Sequence, residues 1–397
     1  MTNGCPAGFT PADVAPPPLP DRLFPIRSLA LDLSGRCNLA CRYCVESATQ
    51  PPRSAMTAEM LERVWEWFCR SRTGPSWTVR VGSGEPLLAL PLLQRLDALM
   101  REETGRSNEG RAFMTTNATL LDEQAADFLA ASGWDIKVSL DGPEDTHDRW
   151  RVTPTGGGTY RRVAAAAEAL VKRLHRRVTV GSVLCHDSDP ARMAAAARDV
   201  GAWRIEFFPV VTHADEARLD SSDHSRYREF IFDCARRLAA GERVVPGVGR
   251  FERAVAGVMG YGNRRVRCPA ARGYVGVGPD GGLYPCMRLV GIEDHRIGDV
   301  ASGIDPEATL AFQRGAGRTY DRRTDCRECW AAPLCGGPCF ASAAMFDVRE
   351  HCELYRSEAS GAIWLVQQLR ERDPARLLAF LDLRQRTSEP DESPGPW

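Results

Sequence analysis

Residues 26–44 read IRSLALDLSGRCNLACRYC and join a short apolar run to three cysteines. The apolar run, residues 26–33, has the length of a buried strand. Cys37, Cys41 and Cys44 follow it with the spacing C-x3-C-x2-C. Three thiolates this close in sequence can hold one corner of a cubane iron–sulfur cluster and leave the fourth iron without a protein ligand. An iron with an open position can bind a small molecule.

A zinc knuckle is the alternative interpretation of this loop, because C-x2-C pairs often bind zinc. Zinc normally needs a fourth ligand nearby, and the next His or Cys after Cys44 is Cys69, inside a helix pattern. The loop alone therefore favours an iron–sulfur cluster and leaves zinc open.

The composition excludes several classes of protein. The chain has 397 residues, 43% of them hydrophobic, and can bury a large core in two or three domains. Its 51 basic and 52 acidic residues give a formal net charge of -1, which argues against a nucleic-acid-binding protein. No apolar run approaches the roughly 20 residues that span a membrane, so we expect a cytoplasmic protein. Disulfides are rare in the cytoplasm, and the 14 cysteines therefore indicate metal binding.

Short β-rich runs alternate with helical patterns from Ile26 onward. After the first run, predicted strands cover residues 77–81, 112–116, 136–140, 178–184 and 205–211, and predicted helices cover 57–72, 88–103, 122–131, 160–173 and 190–200. With the unit that contains the cysteine loop, this makes six β/α units. Such alternation predicts a parallel sheet covered by helices, and the fold class is α/β with a partial (β/α)6 barrel.

The composition changes near Gly262, where the sequence becomes rich in Cys, Gly and Arg. The predicted parts are a lead-in over residues 1–25, the barrel with a linker helix over 26–260, a cysteine-rich domain over 261–355, and a C-terminal helix and tail over 356–397. The helical pattern near the C-terminus covers 353–383 and is interrupted at Pro374.

Glycine-rich and polar segments follow three of the predicted strands. They are Gly82-Ser83-Gly84-Glu85-Pro86, Thr116-Asn117-Ala118, and Ser139-Leu140-Asp141-Gly142-Pro143 with residues 147–151 behind it. In parallel β/α barrels the active site lies at the carboxyl ends of the strands. Small residues let the backbone approach a ligand, and a carboxylate such as Glu85 can accept hydrogen bonds from an ammonium group.

The cysteine loop, with Tyr43 before its last Cys, and these three segments resemble the radical S-adenosylmethionine (radical SAM) superfamily. The resemblance implies the partial barrel and a 4Fe–4S cluster at Cys37, Cys41 and Cys44, whose open iron is chelated by S-adenosylmethionine. One electron, from a donor such as flavodoxin or ferredoxin, then cleaves the sulfonium and gives a 5′-deoxyadenosyl radical. The cofactor supplies the difficult chemistry, and the protein positions it.

The resemblance also assigns the contacts to S-adenosylmethionine. The residues implied are Tyr43, Gly82, Gly84, Glu85, Asn117, Ser139, Asp141 and Arg151. Glu85 would hold the amino group and Arg151 the carboxylate, since a guanidinium fork matches a carboxylate. Asp141 would shape the ribose side.

Three other positions in these segments carry expectations of their own. Ser83 and Ala118 stand where the family more often has Gly. We expect His147 to fix its loop through a hydrogen bond with Asp148, with acid–base catalysis as the alternative.

Seven further cysteines lie in the C-terminal part of the chain. They are arranged as Cys268-x12-Gly281-x4-Cys286, then Cys326-x2-Cys329-x5-Cys335-x3-Cys339, then Cys352. This pattern resembles the SPASM extension of radical SAM enzymes, which carries auxiliary iron–sulfur clusters. Seven thiols exceed what one zinc site needs, and a zinc ribbon at the central cysteines is the alternative.

The resemblance implies a complete outer cluster and an incomplete inner one. The outer ligands would be Cys326, Cys329, Cys335 and Cys352, and the inner ligands Cys268, Cys286 and Cys339. The inner cluster then has an open iron, for a substrate thiolate or a non-protein ligand, or a distant thiol such as Cys5 or Cys234 completes it.

The residue after Cys286 bears on the substrate. SPASM enzymes mostly act on peptides or proteins, and anaerobic sulfatase maturases carry an Asp base at this position. This chain has Met287 there, and residues 284–291 (YPCMRLVG) look more like maturases of ribosomally made peptides. We therefore expect a peptide-modifying enzyme that forms a thioether or similar cross-link. A formylglycine-generating sulfatase maturase and a zinc-binding scaffold are the alternatives.

The expected partners are a precursor peptide or protein and the electron donor, with no nucleic acid and no membrane. Only 36 residues precede Cys37, which is too few for the leader-binding domain usual in peptide maturases. A separate leader-peptide-binding protein, or direct binding at the barrel edge, is expected to replace it.

Overall fold

The computed structural model describes residues 23–46, 54–107, 110–174, 178–244, 247–260, 268–315 and 323–377. Nearly all of the predicted lead-in and the end of the predicted tail lie outside these residues. Within the described ranges, no helix combines the length and the apolar character needed to cross a membrane.

Six β/α units open the described chain, as the sequence alternation predicted. Their strands are β1 (Ser28–Leu31), β2 (Trp77–Val81), β3 (Gly110–Thr116), β4 (Asp135–Ser139), β5 (Thr179–Leu184) and β6 (Arg204–Pro209). Their helices are α1 (Ala58–Ser71), α2 (Leu90–Ser107), α3 (Glu123–Ser132), α4 (Glu144–Trp150), α5 (Tyr160–Arg173), α6 (Pro190–Asp199) and α7 (Ser221–Ala239). Helix α4 was not predicted, because its sequence EDTHDRW lacks an apolar period.

Local signals fix the ends of these helices. The side chains of Thr57 and Asp122 accept hydrogen bonds from the N–H groups of Met60 (3.1 Å) and Ala125 (2.8 Å) and so cap α1 and α3. Gly133 ends α3 with a φ of 86°, a left-handed conformation that favours glycine. Because these signals are local, the sequence locates the helix ends closely.

The core lies between the sheet and the helices that cover it. The Trp77 ring of β2 packs edge-on against Trp65 and Phe68 of α1, with centroids 5.4 and 6.1 Å apart. The helical pattern places these two α1 residues on one face, and both are buried. Burial of such aromatic side chains stabilises the contact between sheet and helix.

The later strands extend the same sheet. They are β7 (Gly247–Val248), β8 (Tyr274–Val277), β9 (Gly282–Tyr284), β10 (Gly298–Asp299) and β11 (Gly303–Ile304). The order across the sheet is β11-β10-β9-β8-β1-β2-β3-β4-β5-β6-β7. Strands from β8 to β7 in this order run parallel, and β9 to β11 are antiparallel to their neighbours. The parallel strands bring the carboxyl ends of β1 to β6 to one edge, where the predicted site segments lie.

Short helices and one long helix complete the described chain. They are α8 (Gly249–Val258), α9 (Pro306–Arg314), α10 (Thr324–Arg327), α11 (Ala332–Cys335), α12 (Phe340–Met345) and α13 (Cys352–Arg372). Helix α13 packs on α7 and α8, where Arg250 donates from Nε and Nη2 to the Glu358 carboxylate at 2.7 and 2.9 Å. It ends before Pro374, where the sequence predicted an interruption.

The cysteine-rich region is continuous with the barrel sheet. Ser28 to Leu31 of β1 pair in parallel with Tyr274 to Val277 of β8, so the sheet crosses the boundary predicted at residue 260. The division into domains stays a prediction.

Candidate functional site

The loop that carries the first three cysteines leaves β1 and is held by its backbone. The N–H groups of Ala40 and Arg42 donate to the carbonyls of Val152 and Trp150, each at 2.9 Å. The loop therefore lies against the segment that follows β4, which carries predicted contacts to S-adenosylmethionine.

The three thiols fit a group larger than a single ion. Cys37 is exposed, and Cys41 and Cys44 are half-buried. Their sulfur atoms are not all within 4.8 Å of one another, whereas thiolates around one zinc ion, with Zn–S bonds of about 2.3 Å, lie about 3.8 Å apart. Burial raises the pKa of Cys41 to about 12, so binding of the group must release a proton. This donor set fits an iron–sulfur cluster better than one zinc ion.

The glycine segment after β2 touches the cysteine loop. Glu85 N–H donates to the Arg36 carbonyl at 2.9 Å, and a Cβ on Gly84 would lie 2.1 Å from that oxygen. Gly84 has a φ of 57° and Ser83 a φ of 65°, both in the left-handed region. A left-handed φ is easiest for glycine, which explains why the radical SAM family more often has Gly at the position of Ser83.

Glu46 is a site residue that the sequence reasoning missed. Its Oε2 accepts hydrogen bonds from Ser83 Oγ at 3.0 Å and from Gly84 N–H at 3.1 Å. The available signal was a carboxylate two residues after Cys44. Glu46 therefore ties the cysteine loop to the glycine segment.

The Glu85 carboxylate is buried and bonded to the end of β3. Its Oε1 accepts from Leu87 N–H at 3.0 Å and Thr116 Oγ1 at 2.6 Å, and its Oε2 accepts from Asn117 N–H at 2.7 Å. Burial raises the pKa of Glu85, and these three donors oppose the rise. Oε2 keeps one acceptor position for an ammonium group. The predicted contact with the cofactor amino group stays a prediction.

Asn117 lies beside the first predicted cluster ligand. Its Nδ2 is 3.6 Å from Cys37 Sγ and donates to Asn38 Oδ1 at 2.9 Å. The next residue, Ala118, is buried with a φ of 57°, which explains the Gly more common there. The third strand end is thereby joined to the cysteine loop.

Asp141 is the centre of the second half of the predicted cofactor site. Its Oδ2 accepts from Tyr43 Oη at 2.5 Å and Arg151 Nε at 2.7 Å, and its Oδ1 accepts from Arg151 Nη2 at 3.3 Å and Val183 N–H at 2.8 Å. Burial alone would lower the pKa of Arg151, but Asp141 and Tyr43 raise it well above its ordinary value. Through its bonds to Tyr43 and Val183, Asp141 connects the cysteine loop to the end of β4 and to β5. The cofactor contacts predicted for Arg151, and for Ser139 at the end of β4, stay predictions.

The His147 ring holds this ion pair in place. Its Nδ1 accepts from Asp141 N–H at 3.2 Å, so the proton sits on Nε2, which donates to Thr159 Oγ1 at 3.0 Å. The Thr159 hydroxyl donates in turn to the Arg151 carbonyl at 2.8 Å. The loop-fixing role is confirmed, but the expected partner was wrong, because Asp148 instead accepts from Thr159 N–H at the start of α5.

We expect the buried neutral His147 to make the protein less stable in acid. Burial lowers its folded-state pKa from 6.5 to about 4, so unfolding takes up a proton between these pH values. The contribution of neutral His147 to the free energy of unfolding is fully present above the pKa of the unfolded state. It is lost as the pH drops toward the pKa of the folded state, by about 2 kcal/mol between about pH 7 and pH 5. Urea unfolding across this range measures the slope. The free energy of unfolding of His147→Gln should depend less steeply on pH than that of the wild type. Equal slopes in both proteins would contradict a buried neutral His147.

The inner cysteines of the predicted pattern share one apolar cluster. Cys268, Cys286 and Cys339 pack against residues that include Leu289 and Phe340. Cys234 is buried in α7, where the charged groups that act on it are Asp233 and Arg237 and no thiol. Cys5 lies outside the described residues. The ligands of an inner cluster stay a prediction.

The outer cysteines also lie together. Burial and the neighbouring thiols of Cys335, Cys326 and Cys329 raise the pKa of Cys352 to about 11. Cys326, Cys329 and Cys335 are therefore neighbours of Cys352, and the division of the thiols into two ligand sets stays a prediction.

Met287 brings the inner cysteines to the barrel edge. If Gly82 had a Cβ atom, that atom would lie only 3.0 Å from Met287 Cε, so the Met287 side chain packs directly on Gly82. Burial alone would lower the pKa of the adjacent Arg288, but the inner thiols and Glu46 raise it. The glycine segment, Glu46 and the inner thiols therefore lie near one another at the carboxyl ends of the strands.

Comparisons with known proteins agree with this geometry. A serine-type anaerobic sulfatase-maturating enzyme of Bacteroides thetaiotaomicron is 24% identical over 352 residues, which are 79% of this chain and 82% of that protein. The structure of hexahistidine-tagged anSMEcpe with bound AdoMet has a TM-score of 0.73 at 21% identity and covers 90% of this chain and 98% of its own. Streptococcus suis SuiB bound to the precursor peptide SuiA has a TM-score of 0.58 at 16% identity, covering 82% of this chain and 74% of its own.

At these identities the two solved structures show a shared fold. The sequence profile of the radical SAM superfamily matches residues 31–200, which run from the end of β1 to α6. This stretch contains the cysteine loop, the glycine segment and the Asp141–Arg151 pair. Residues 31–200 of this chain therefore form a radical SAM domain.

Proposed function

We propose that this enzyme carries auxiliary iron–sulfur clusters and cross-links a ribosomally made peptide. The observation that carries the proposal is Met287, which lies against Gly82 at the carboxyl edge of the sheet. A thioether cannot accept a proton at neutral pH, so formylglycine formation lacks its base at this position. When bound, the first cluster and S-adenosylmethionine supply a radical that removes a hydrogen atom from the substrate, and the auxiliary clusters can accept the electron released on bond formation.

The chain's own residues position the reactants in this proposal. The Asp141 carboxylate accepts hydrogen bonds from Tyr43 and Arg151, which fix its position beside the cysteine loop. Glu85 would accept a hydrogen bond from the cofactor ammonium group at the remaining acceptor position of its Oε2. Because both carboxylates are buried, water competes little for these contacts.

Formylglycine generation is the second candidate, because the sulfatase-maturating relative is similar over 82% of its length. That reaction needs a proton acceptor at the substrate. Glu46 offers a carboxylate at the same edge, but its Oε2 is bonded to Ser83 and Gly84. We therefore favour the cross-linking reaction.

We predict that the enzyme forms no aldehyde in a sulfatase-motif peptide while it cleaves S-adenosylmethionine competently. With its own precursor peptide, the product should lose a pair of hydrogen atoms in the mass spectrum. A thioether would leave the modified Cys resistant to alkylation, whereas a carbon–carbon or carbon–oxygen link would leave any Cys free.

Met287→Leu is the matched control, because Leu keeps the volume at this position and also lacks a proton acceptor. It should give the same product as the wild type. An aldehyde that reacts with a hydrazine probe would overturn the choice of cross-linking over formylglycine.

The partners in this proposal are the precursor peptide, an electron donor such as flavodoxin or ferredoxin, and a separate leader-peptide-binding protein. We place the enzyme in the cytoplasm, where its thiols stay reduced. A brown anaerobic preparation with iron in large excess over zinc would separate this proposal from a zinc-binding scaffold.

A further inference from the structure

The two faces of the parallel sheet differ in their side chains. Trp77 of β2 packs against α1, so its face of the sheet lies under the helices, where the side chains are mostly apolar and buried. Alternate residues of a strand point to opposite faces, and residues paired across two strands share a face. Thr78 and Arg80 therefore lie on the other face, and the strand register continues this face from β2 to β6. We name it the inner face.

The inner face carries an excess of positive charge. Its charged members among the described residues of β2 to β6 are the cations Arg80, Arg111, Lys137 and Arg204 and the carboxylates Asp135 and Glu206. Helix α8 adds Glu252 and Arg253, whose charges cancel. The interior of a closed barrel is normally filled by branched apolar side chains. A charged inner face therefore indicates a surface that meets water or a ligand.

The β6 end of this face is held together by its own ion pairs. Glu206 accepts from Arg253 Nη1 at 2.8 Å, and its Oε2 lies 3.6 Å from Lys137 Nζ. Arg204 Nη2 donates to Glu252 Oε2 at 2.9 Å. The Glu206 and Arg204 side chains are only 5% and 7% exposed, so these pairs belong to the packed interior.

The other end of the face, at β2 and β3, is more open to solvent. Two guanidinium groups lie over the Phe113 ring, with Arg80 Cζ 4.6 Å and Arg111 Cζ 5.5 Å from its centroid. Arg111 Nη2 lies 3.1 Å from Asp135 Oδ2, in a pair whose side chains are 44% and 36% exposed. An ion pair this exposed contributes little to stability, so another carboxylate can compete with Asp135 for Arg111. Guanidinium groups stacked on an aromatic ring are well suited to bind a carboxylate through two N–H groups.

The two arginines lie close to the edge where the proposed reaction takes place. Met287 packs on Gly82, and Thr115 Cβ is 4.0 Å from the position that a Gly82 Cβ would occupy. On β3, Phe113 is two residues before Thr115, and Arg111 is four residues before it. Because Arg80 pairs with Phe113 and a strand rises about 3.3 Å per residue, the two arginines lie about 7 and 13 Å along the sheet from that edge. An extended peptide spans these distances with two to four residues.

We propose that the inner face binds an acidic side chain of the substrate peptide, two to four residues from the residue that reacts, and that Arg80 and Arg111 determine this specificity. The inference rests on the peptide substrate of the proposed function. It goes beyond that function by naming the charge of the substrate and the residues that select it. A carboxylate from the substrate reduces the excess positive charge of the inner face, which a lysine side chain would increase.

The test uses three synthetic peptides that contain a single Cys and hold Asp, Asn or Lys at the positions three residues before and after it. Each peptide carries a neutral fluorescent dye. Fluorescence anisotropy measures its dissociation constant with the anaerobically reconstituted enzyme and S-adenosylmethionine at several salt concentrations. The variants are Arg80→Gln/Arg111→Gln and the charge reversal Arg111→Glu. The matched control is Arg228→Gln/Arg236→Gln, which removes two exposed charges on α7.

The wild type should bind the Asp peptide about tenfold more tightly than the Asn peptide, and the Lys peptide more weakly than either. Rising salt should reduce this difference, since the attraction between exposed charges is screened. Arg80→Gln/Arg111→Gln should bind the Asp and Asn peptides equally, and Arg111→Glu should bind the Lys peptide more tightly than the Asp peptide. The α7 control should behave as the wild type.

Equal affinities of the wild type for the three peptides, or no binding of any of them, would overturn the inference. A preference for Asp that persists in Arg80→Gln/Arg111→Gln would also overturn it, because other residues would then select the substrate. Iron content and cooperative urea unfolding show whether each variant is folded. If the double variant is unstable, Arg111→Glu, at an exposed position, decides the question.

The mass of the product is measured separately, so that this inference and the proposed function can fail independently. A preference for Asp without the loss of a pair of hydrogen atoms would support the acidic substrate and count against cross-linking. Loss of the hydrogen pair without any preference among the peptides would support cross-linking and overturn the acidic substrate.

Discussion

Cys41→Ala is expected to abolish cleavage of S-adenosylmethionine and to remove about four irons per chain, one cubane's worth. The Cys41 thiol is the member of the loop whose pKa burial raises to about 12, and it lies near Arg151 of the predicted cofactor site. Without it, only two thiols of the motif remain to hold the cluster. The auxiliary sets keep all their thiols, because the three sets share none. Release of 5′-deoxyadenosine under dithionite and iron analysis measure both effects.

Cys69→Ala is the control for this experiment. Cys69 lies on α1 and belongs to none of the predicted ligand sets. The Cys69→Ala variant should keep its iron content and its rate of S-adenosylmethionine cleavage. Release of 5′-deoxyadenosine by Cys41→Ala at the wild-type rate would show that the cluster is held elsewhere.

Asp141→Asn is expected to reduce the free energy of unfolding by about 3–5 kcal/mol, the usual consequence of leaving one partner of a buried ion pair alone. Arg151 would keep its charge at a position where only 10% of its side chain is exposed, without a carboxylate to balance it. The dissociation constant of S-adenosylmethionine should rise as well, since Tyr43 also loses an anionic acceptor. Chemical denaturation and equilibrium binding measure the two effects.

Asp145→Asn is the matched control, because Asp145 is exposed on α4 and pairs with the exposed Arg192. It should change stability by less than about 1 kcal/mol. The double variant Asp141→Asn/Arg151→Met removes the isolated charge and should be more stable than Asp141→Asn alone. If the double variant were less stable than the single one, the destabilisation would have another source.

The strands and most helices of the barrel were predictable because each carries its own local signal. The strand over residues 77–81 and the helix over 160–173 have the predicted bounds. The helix predicted over 57–72 covers Ala58–Ser71, and its first predicted residue, Thr57, is the cap. Helix α4 was missed because only Trp150 and His147 are buried among its seven residues. Its sequence therefore carries no hydrophobic period, and tertiary contacts stabilise it.

The candidate site was predictable in its residues but not in its contacts. Spacing identifies Cys37, Cys41 and Cys44, since the thiol ligands of one iron–sulfur cluster often lie close together in sequence. It cannot reveal that Glu46 bonds to Ser83, because that contact depends on how two loops meet after folding. For the same reason the sequence placed Asp148 beside His147, although helix α5 takes the Asp148 carboxylate as its cap.

The pairing of β1 with β8 has a consequence for exchanging parts between related enzymes. A chain cut where the composition changes, near Gly262, would leave one side of Ser28–Leu31 with unsatisfied backbone groups. The unpaired N–H and C=O groups of such a strand edge can form hydrogen bonds with other chains, which leads to aggregation. A transplanted barrel would therefore have to include Tyr274–Val277, so an exchange of parts should end beyond β8 and not at the change in composition.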